Sequence, residues 1–251
     1  MEYYAVLEEK ELEMALLLKN RTELRDVCSV EEDFQPEGDV IDSMIEKDIL
    51  RFPKEEQDTP DVIRKGDSGT LMWNPFVSFL LNGVFACKAC FLQKGSDGSL
   101  SNLYFLGNNV VYLEHEKEGA PYVFYHVPFV PKFMGALASF YSRFEDIVPK
   151  DMERFTIDSE NTESDLLDVV GNDSRITAFD SYITTWGSFD NELNFEGIVL
   201  IGKNLFTFCQ RSNEGKIVCE SMTADDFLVK ISKWLISVHG KCIAEMEVGH
   251  E

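Results

Sequence analysis

Leu103-Tyr-Phe-Leu-Gly-Asn-Asn-Val-Val-Tyr-Leu113 and Ile198-Val-Leu-Ile-Gly-Lys-Asn-Leu-Phe-Thr-Phe208 carry one pattern at an offset of 95 residues. Gly107 falls on Gly202 and Asn109 on Asn204, with apolar residues aligned on both sides. Each copy predicts an apolar strand, a Gly-x-Asn turn and a second strand, because Gly and Asn tolerate the positive φ that a tight hairpin needs. A third strand follows each copy, Tyr122-Val-Phe-Tyr125 in the first and Lys216-Ile-Val-Cys219 in the second.

A helix closes each unit, and there the offset becomes 94. Phe133, Leu137, Phe140, Tyr141 and Phe144 fall on Phe227, Ile231, Trp234, Leu235 and Val238, all apolar. Their spacing is that of one buried helix face, with Phe140 and Trp234 expected in equivalent buried positions. Pro131 and Thr223-Ala-Asp-Asp supply helix-start chemistry. Upstream, a strand from Val84 to Gln93 aligns with Phe179 to Ser188, and an apolar helix from Phe76 to Leu81 corresponds more loosely to Asp165–Val170.

Two units of the order helix, strand, strand, strand, helix predict a pseudo-two-fold α+β protein. Its expected architecture is an antiparallel β-sheet with helices packed at both ends. The expected division is 1–72 for an N-terminal strand and helices, 73–147 for the first unit and 148–251 for the second, all one compact domain. Within the first region, Tyr3–Leu7 reads as a strand. Leu12, Ala15 and Leu16 mark one helix, and Val40, Ile41, Met44, Ile45 and Ile49 a second. The polar stretch 51–70, with Pro53, Pro60, Gly66 and Gly69, reads as a long mobile surface loop.

The 251 residues are 44% apolar, with 19 Phe, 8 Tyr and 3 Trp, enough to fill the core of a globular domain. The 45 acidic residues outnumber the 23 basic ones, giving a net charge of −22. Such a surface repels phosphate backbones and anionic lipid headgroups, which argues against nucleic acid and membrane partners. Two readings of that charge stay open: it simply keeps the chain soluble and monomeric, or it steers a basic or amphipathic protein partner. The start, Met-Glu-Tyr-Tyr, has no basic n-region, and the apolar run Phe76–Phe91 is broken by Asn82, Gly83 and Lys88, so neither a secretory signal nor a membrane span is expected. Six cysteines in such a chain read as reduced thiols of the cytoplasm, with Cys28, Cys209, Cys219 and Cys242 as isolated packing residues.

Three stretches imitate functional motifs. Gly197-Ile-Val-Leu-Ile-Gly-Lys-Asn204 nearly spells a phosphate loop, but its four intervening residues are strand-like and Asn204 stands where a hydroxyl belongs. Cys87-Lys-Ala-Cys90 has the spacing of half a zinc knuckle or of a redox motif, but no second Cys-x-x-Cys or His pair completes four zinc ligands, and its apolar neighbours favour packing. In a strand these two cysteines would face opposite ways, and in a helix the same way. The run Glu160 to Asp168 reads as a solvated acidic face. Asn20 and Asn172 open glycosylation sequons without meaning in a cytosolic chain. His115, His126, His239 and His250 form no metal or catalytic pair in sequence. No cofactor, metal or catalytic residue is therefore assigned, and the partner-binding residues are left open.

The order of elements resembles the EspG family of type VII secretion chaperones. Tyr4-Ala-Val-Leu7 and Lys10–Lys19 open with strand and helix, followed by the Val40–Leu50 helix and a long loop. Trp73-Asn-Pro-Phe76 then opens the next helix, two strand–Gly–strand units follow, and the amphipathic helix Asp225–Val238 ends the pattern. The resemblance implies a non-enzymatic cytoplasmic adaptor that holds a small helical secreted substrate soluble by masking its apolar tip. It further implies contacts through loops at the strand ends and through the C-terminal helical region, with no cofactor. The acidic, Phe-rich composition looks more like a Firmicutes relative than a mycobacterial member. Rival classes are an immunity protein that plugs a toxin with acidic residues, and a small-molecule enzyme with an unrecognised site.

Overall fold

The computed structural model describes residues 4–24, 27–31, 34, 38–52, 62–64, 70–95, 97–106, 109–127, 134–135, 137–138, 141–142, 145–146, 154–157, 182–189, 193–201, 206–212 and 216–248. Strand β1 (Tyr4–Leu7) leads into helix α1 (Glu9–Leu18), the short strands β2 (Glu23–Leu24) and β3 (Cys28–Ser29), and helix α2 (Gly38–Glu46). Strands β4 (Leu50–Arg51), β5 (Val62–Arg64) and β6 (Thr70–Trp73) precede helix α3 (Pro75–Phe85). Then come β7 (Ala89–Gly95), β8 (Leu100–Leu106), β9 (Asn109–His115) and β10 (Tyr122–Val127). After β11 (Arg154–Ile157) the second series follows: β12 (Tyr182–Phe189), β13 (Leu193–Ile201), β14 (Phe206–Arg211) and β15 (Ile217–Ser221), ending in helix α4 (Ala224–Val248).

Among the described residues, ten strands make one antiparallel sheet in the order β1-β10-β9-β8-β7-β12-β13-β14-β15-β11. Read inward from one edge it runs β1, β10, β9, β8, β7, and from the other β11, β15, β14, β13, β12, so the connectivity is the same from both sides. The halves meet at β7 and β12, where Phe91 pairs with Trp186. When a two-fold axis relates two antiparallel strands, the residues on the axis are each other's equivalents. Phe91 and Trp186 are 95 residues apart, the offset of the sequence repeat. The pseudo-two-fold α+β fold expected from the repeat is thus present in the sheet.

The hairpins within the halves are not identical. Register pairs Leu106 with Asn109 in the first and Ile201 with Phe206 in the second. The connecting segments, 107–108 and 202–205, therefore differ in length, and Asn109 belongs to a strand rather than to the turn where the repeat put it. The residues of both turns lie outside those described, as do Phe133, Phe140, Phe144, Asp165–Val170 and the acidic run from Glu160 to Asp168.

Other boundaries move for physical reasons. Val84 and Phe85 end α3 instead of opening a strand, and β7 begins only at Ala89. A continuous apolar run does not distinguish a buried helix from a buried strand, and α3 is buried along most of its length. Asn74 caps α3 by accepting the Phe76 N–H at 3.0 Å, with Pro75 at the first position. The stretch 51–70 is not wholly loop. Val62–Arg64, with two β-branched residues, pairs with Thr70–Met72 of β6, and β4 adds to the other side.

Helices cover both faces of the first half. On one, α1, α2 and α3 bury Leu12, Leu16, Met44, Leu80 and Val84 against Cys90, Leu92, Tyr104, Val111, Leu113 and Phe124. Gly83 lets α3 sit close, since a Cβ there would stand 2.8 Å from Val111 Cγ2. On the other face, Leu137, Tyr141 and the α4 residues Phe227, Ile231, Leu235 and Val238 pack on Ala89, Phe91, Leu103, Phe105, Val199 and Phe208. Helix α4 thereby touches both halves: Phe227 lies 6.4 Å from Phe208 of β14, and Trp234 meets Phe105 of β8 edge-on at 6.4 Å. Trp234 is only half-buried, a correction to its expected place in the core. Thr223 caps α4 as its sequence suggested, accepting the Asp226 N–H at 3.1 Å.

Candidate partner-binding surfaces

Three titratable groups in or against the N-terminal layer, Cys28, Tyr122 and Glu11, are shifted by their surroundings. Burial, helped by the nearby Glu13 and Glu9 carboxylates, pushes the Cys28 thiol up to about 12. Burial likewise lifts the Tyr122 hydroxyl to about 12, and the His115 ring stacks on Tyr122 at 4.3 Å. A thiol so strongly protonated at neutral pH is a poor nucleophile. Glu11 is buried yet satisfied. Its carboxylate accepts from the Ser43 hydroxyl at 2.7 Å, the Lys47 ammonium at 2.9 Å and the Glu8 N–H at 2.8 Å, which ties α1 to α2.

The motif-like stretches resolve as follows. Gly197–Ile201 runs in β13, paired with Gln210–Phe206 of β14, which agrees with a strand and leaves Gly202, Lys203 and Asn204 outside the described residues. Cys209 and Cys219, expected to be isolated, stand directly opposite each other on β14 and β15, both buried and reduced. Cys87 lies in the turn between α3 and β7, so neither the strand nor the helix geometry applies to the Cys-x-x-Cys pair. Cys87 and Cys90 instead line the same cavity. No cluster of three or more His, Cys, Asp or Glu suited to a metal ion occurs among the described residues.

That cavity, about 390 Å³, lies where four segments converge. Asn20, Arg21, Thr22, Glu23 and Leu24, leaving α1, form one wall, and Val84 and Phe85 at the end of α3 another. Cys90, Leu92 and Tyr104 of the sheet make the floor. Lys19 fixes the end of α1 against α3 by donating to Ser78 at 2.9 Å and Asn82 at 3.1 Å. Nothing in the local sequence marked Asn20–Leu24 as a wall, because the cavity exists only once these segments are brought together.

A second feature is a row of tyrosines across the β1 edge of the sheet. Tyr4 pairs in register with Tyr125, and Tyr125 with Tyr112. Ring centroids are 6.1 Å apart for Tyr4 and Tyr125, and 5.8 Å for the stacked Tyr125 and Tyr112. The Tyr112 hydroxyl lies 3.1 Å from the Ser101 hydroxyl, and burial raises its pKa above the ordinary tyrosine value. Tyr4 is 59% exposed at the end of the row. Rigid aromatic side chains with a polar tip supply much contact area at small entropic cost. On α4, Val229 and Ile236 also face solvent, seven residues and two turns apart.

No described helix is long and apolar enough to cross a membrane. No known family model matches the chain, and no curated protein matches its sequence. Its architecture, an open pseudo-two-fold antiparallel sheet with helices on its faces, does have a counterpart of EspG-like type. The Mycobacterium tuberculosis type VII secretion system chaperone EspG5, solved in complex with a PE25–PPE41 dimer, is similar with a TM-score of 0.54 over 90% of this chain and 94% of that one. The two are 10% identical, so the likeness is one of fold.

Proposed function

We propose that this chain is a non-enzymatic binding protein that acts as a chaperone or adaptor for a small helical substrate of a type VII secretion system. The observation that carries the proposal is the extent of the fold likeness. It takes in nearly the whole of this chain and nearly the whole of a chaperone whose structure contains its protein partner. A likeness over one common sub-motif would carry far less.

The surface supports the same reading. The tyrosine row beside the open β1 edge offers aromatic anchors of the kind that dominate protein interfaces. The exposed Val229 and Ile236 extend apolar contact to the C-terminal helix. A net charge of −22 favours approach of a basic or amphipathic helical partner and disfavours nucleic acid. On this proposal the protein works in the cytoplasm as a monomer until it meets its substrate. Co-expression with candidate helical-hairpin secretion substrates, followed by size-exclusion chromatography with light scattering, tests it. A co-eluting complex of defined mass is expected. Separate elution of every candidate, or co-elution only of a toxin whose activity is lost, would replace the chaperone role.

A further inference from the structure

We infer that the cavity between α1, α3 and the β7–β8 floor is a socket for one large apolar side chain of a protein partner, presented beside an acidic residue. The inference rests on the protein-binding reading above and adds a specific point of attachment to it.

The cavity has the anatomy of an interface hot spot, an apolar floor inside a polar rim. Leu24, Val84, Phe85, Leu92 and Tyr104 provide apolar walls and floor. The floor is held rigid, because the Tyr104 hydroxyl accepts from Asn102 at 3.2 Å while Asn102 accepts the Gln93 N–H at 3.0 Å. Its volume of about 390 Å³ sits at the small end of the roughly 300–1,000 Å³ typical of ligand pockets. A large side chain with its backbone fits that size better than a bulky cofactor does.

The rim specifies the charge. The Arg21 guanidinium lies over the Phe85 ring at 5.8 Å, and among the described residues it has no ion-pair partner. It is exposed, so it faces an incoming ligand. In a chain with a net charge of −22, a cation placed at the mouth of an apolar cavity selects a carboxylate locally against the general field. Glu23, on the same wall, suits a basic or amide group of the partner.

Cys87 gives a readout that needs no partner, since it lines the cavity and is half-exposed. The experiment is alkylation of Cys87 in the full chain by N-ethylmaleimide, followed by peptide mass spectrometry. N-acetyl-L-phenylalaninamide, N-acetyl-L-phenylalanine with its free carboxylate, and acetamide are the probes. A fragment of this size binds a matched socket at about 1 mM, so 10 mM of the amide should slow alkylation roughly tenfold. The free acid should slow it more than the amide does, and Arg21→Ala should abolish that difference while leaving protection by the amide. Acetamide should do nothing. Unchanged alkylation with both phenylalanine probes, or equal slowing by acetamide, overturns the socket. An acid no better than the amide overturns the assignment to Arg21. Should a partner co-elute while the probes leave Cys87 unprotected, the socket fails and the chaperone proposal stands. Should the probes protect while no helical partner ever binds, the chaperone proposal fails and the socket stands.

Discussion

Replacing Glu11 should destabilise the fold more than replacing any surface carboxylate would. Its side chain is 3% exposed and collects three donors, from Ser43, Lys47 and the Glu8 backbone. Hydrogen bonds to a charged acceptor contribute about 1.5–3 kcal/mol each, less where a freed donor recovers water. Lys47 is more than a third exposed, so its ion pair adds only about 0–1 kcal/mol. Glu11→Ala should therefore cost about 2–4 kcal/mol and lower the urea midpoint by roughly 1 M or more at constant slope. The pH dependence supplies a second check. Burial pushes the Glu11 carboxyl up, but the bonds from Lys47, Ser43 and the Glu8 amide outweigh it and hold its pKa below that of an ordinary glutamate. A carboxyl with a lowered folded pKa stabilises fully above its unfolded pKa, and that contribution is lost as pH falls through the folded value. The gap between wild type and Glu11→Gln should thus be constant near neutrality and shrink below about pH 4.5. A midpoint change worth under about 1 kcal/mol, or a gap independent of pH in acid, would refute the assignment of Glu11 as the clamp between α1 and α2.

Gly83→Ala places a Cβ 2.8 Å from Val111 Cγ2, so it should cost about 1–3 kcal/mol despite the better helix propensity of alanine, read from thermal melts. Trp234→Ala should cost about 1–3 kcal/mol, below the roughly 3–5 of a fully buried aromatic, because Trp234 is only half-buried where it meets Phe105. The double substitution Tyr4→Ala with Tyr125→Ala should weaken substrate binding at least about tenfold, by titration calorimetry, with a stability loss under about 2 kcal/mol.

The sheet was legible because its signal is a repeat. Apolar strands on either side of Gly107 and Gly202 fixed the order of β8, β9 and β10 against β13, β14 and β15. The offset of 95 then reappears as the Phe91–Trp186 pair on the two-fold. Pairings between elements far apart in sequence leave no such trace. Even within one hairpin the exact register is hidden: Cys209 and Cys219 looked isolated, yet β14 and β15 set them opposite each other. Strands as short as β2, β3 and β4 carry too few residues to show a period of two. The half-burial of Trp234 depends on where α4 crosses the sheet, and helical spacing alone could not tell the centre of the buried stripe from its margin. The candidate surfaces were the least legible. The cavity draws on the turn after α1, β2, α3, β7 and β8, and the tyrosine row needs β1 to pair with β10 across more than a hundred residues.

Protection of a partner is tested most directly by the solubility of that partner. A helical secretion substrate that aggregates alone should remain in the supernatant after centrifugation as this chain is added, with the soluble fraction rising until one equivalent is reached. The Tyr4→Ala, Tyr125→Ala double variant should require several-fold more protein for the same effect. A substrate that sediments equally with and without the chain, or that is fully dispersed on its own and gains nothing, would contradict the account.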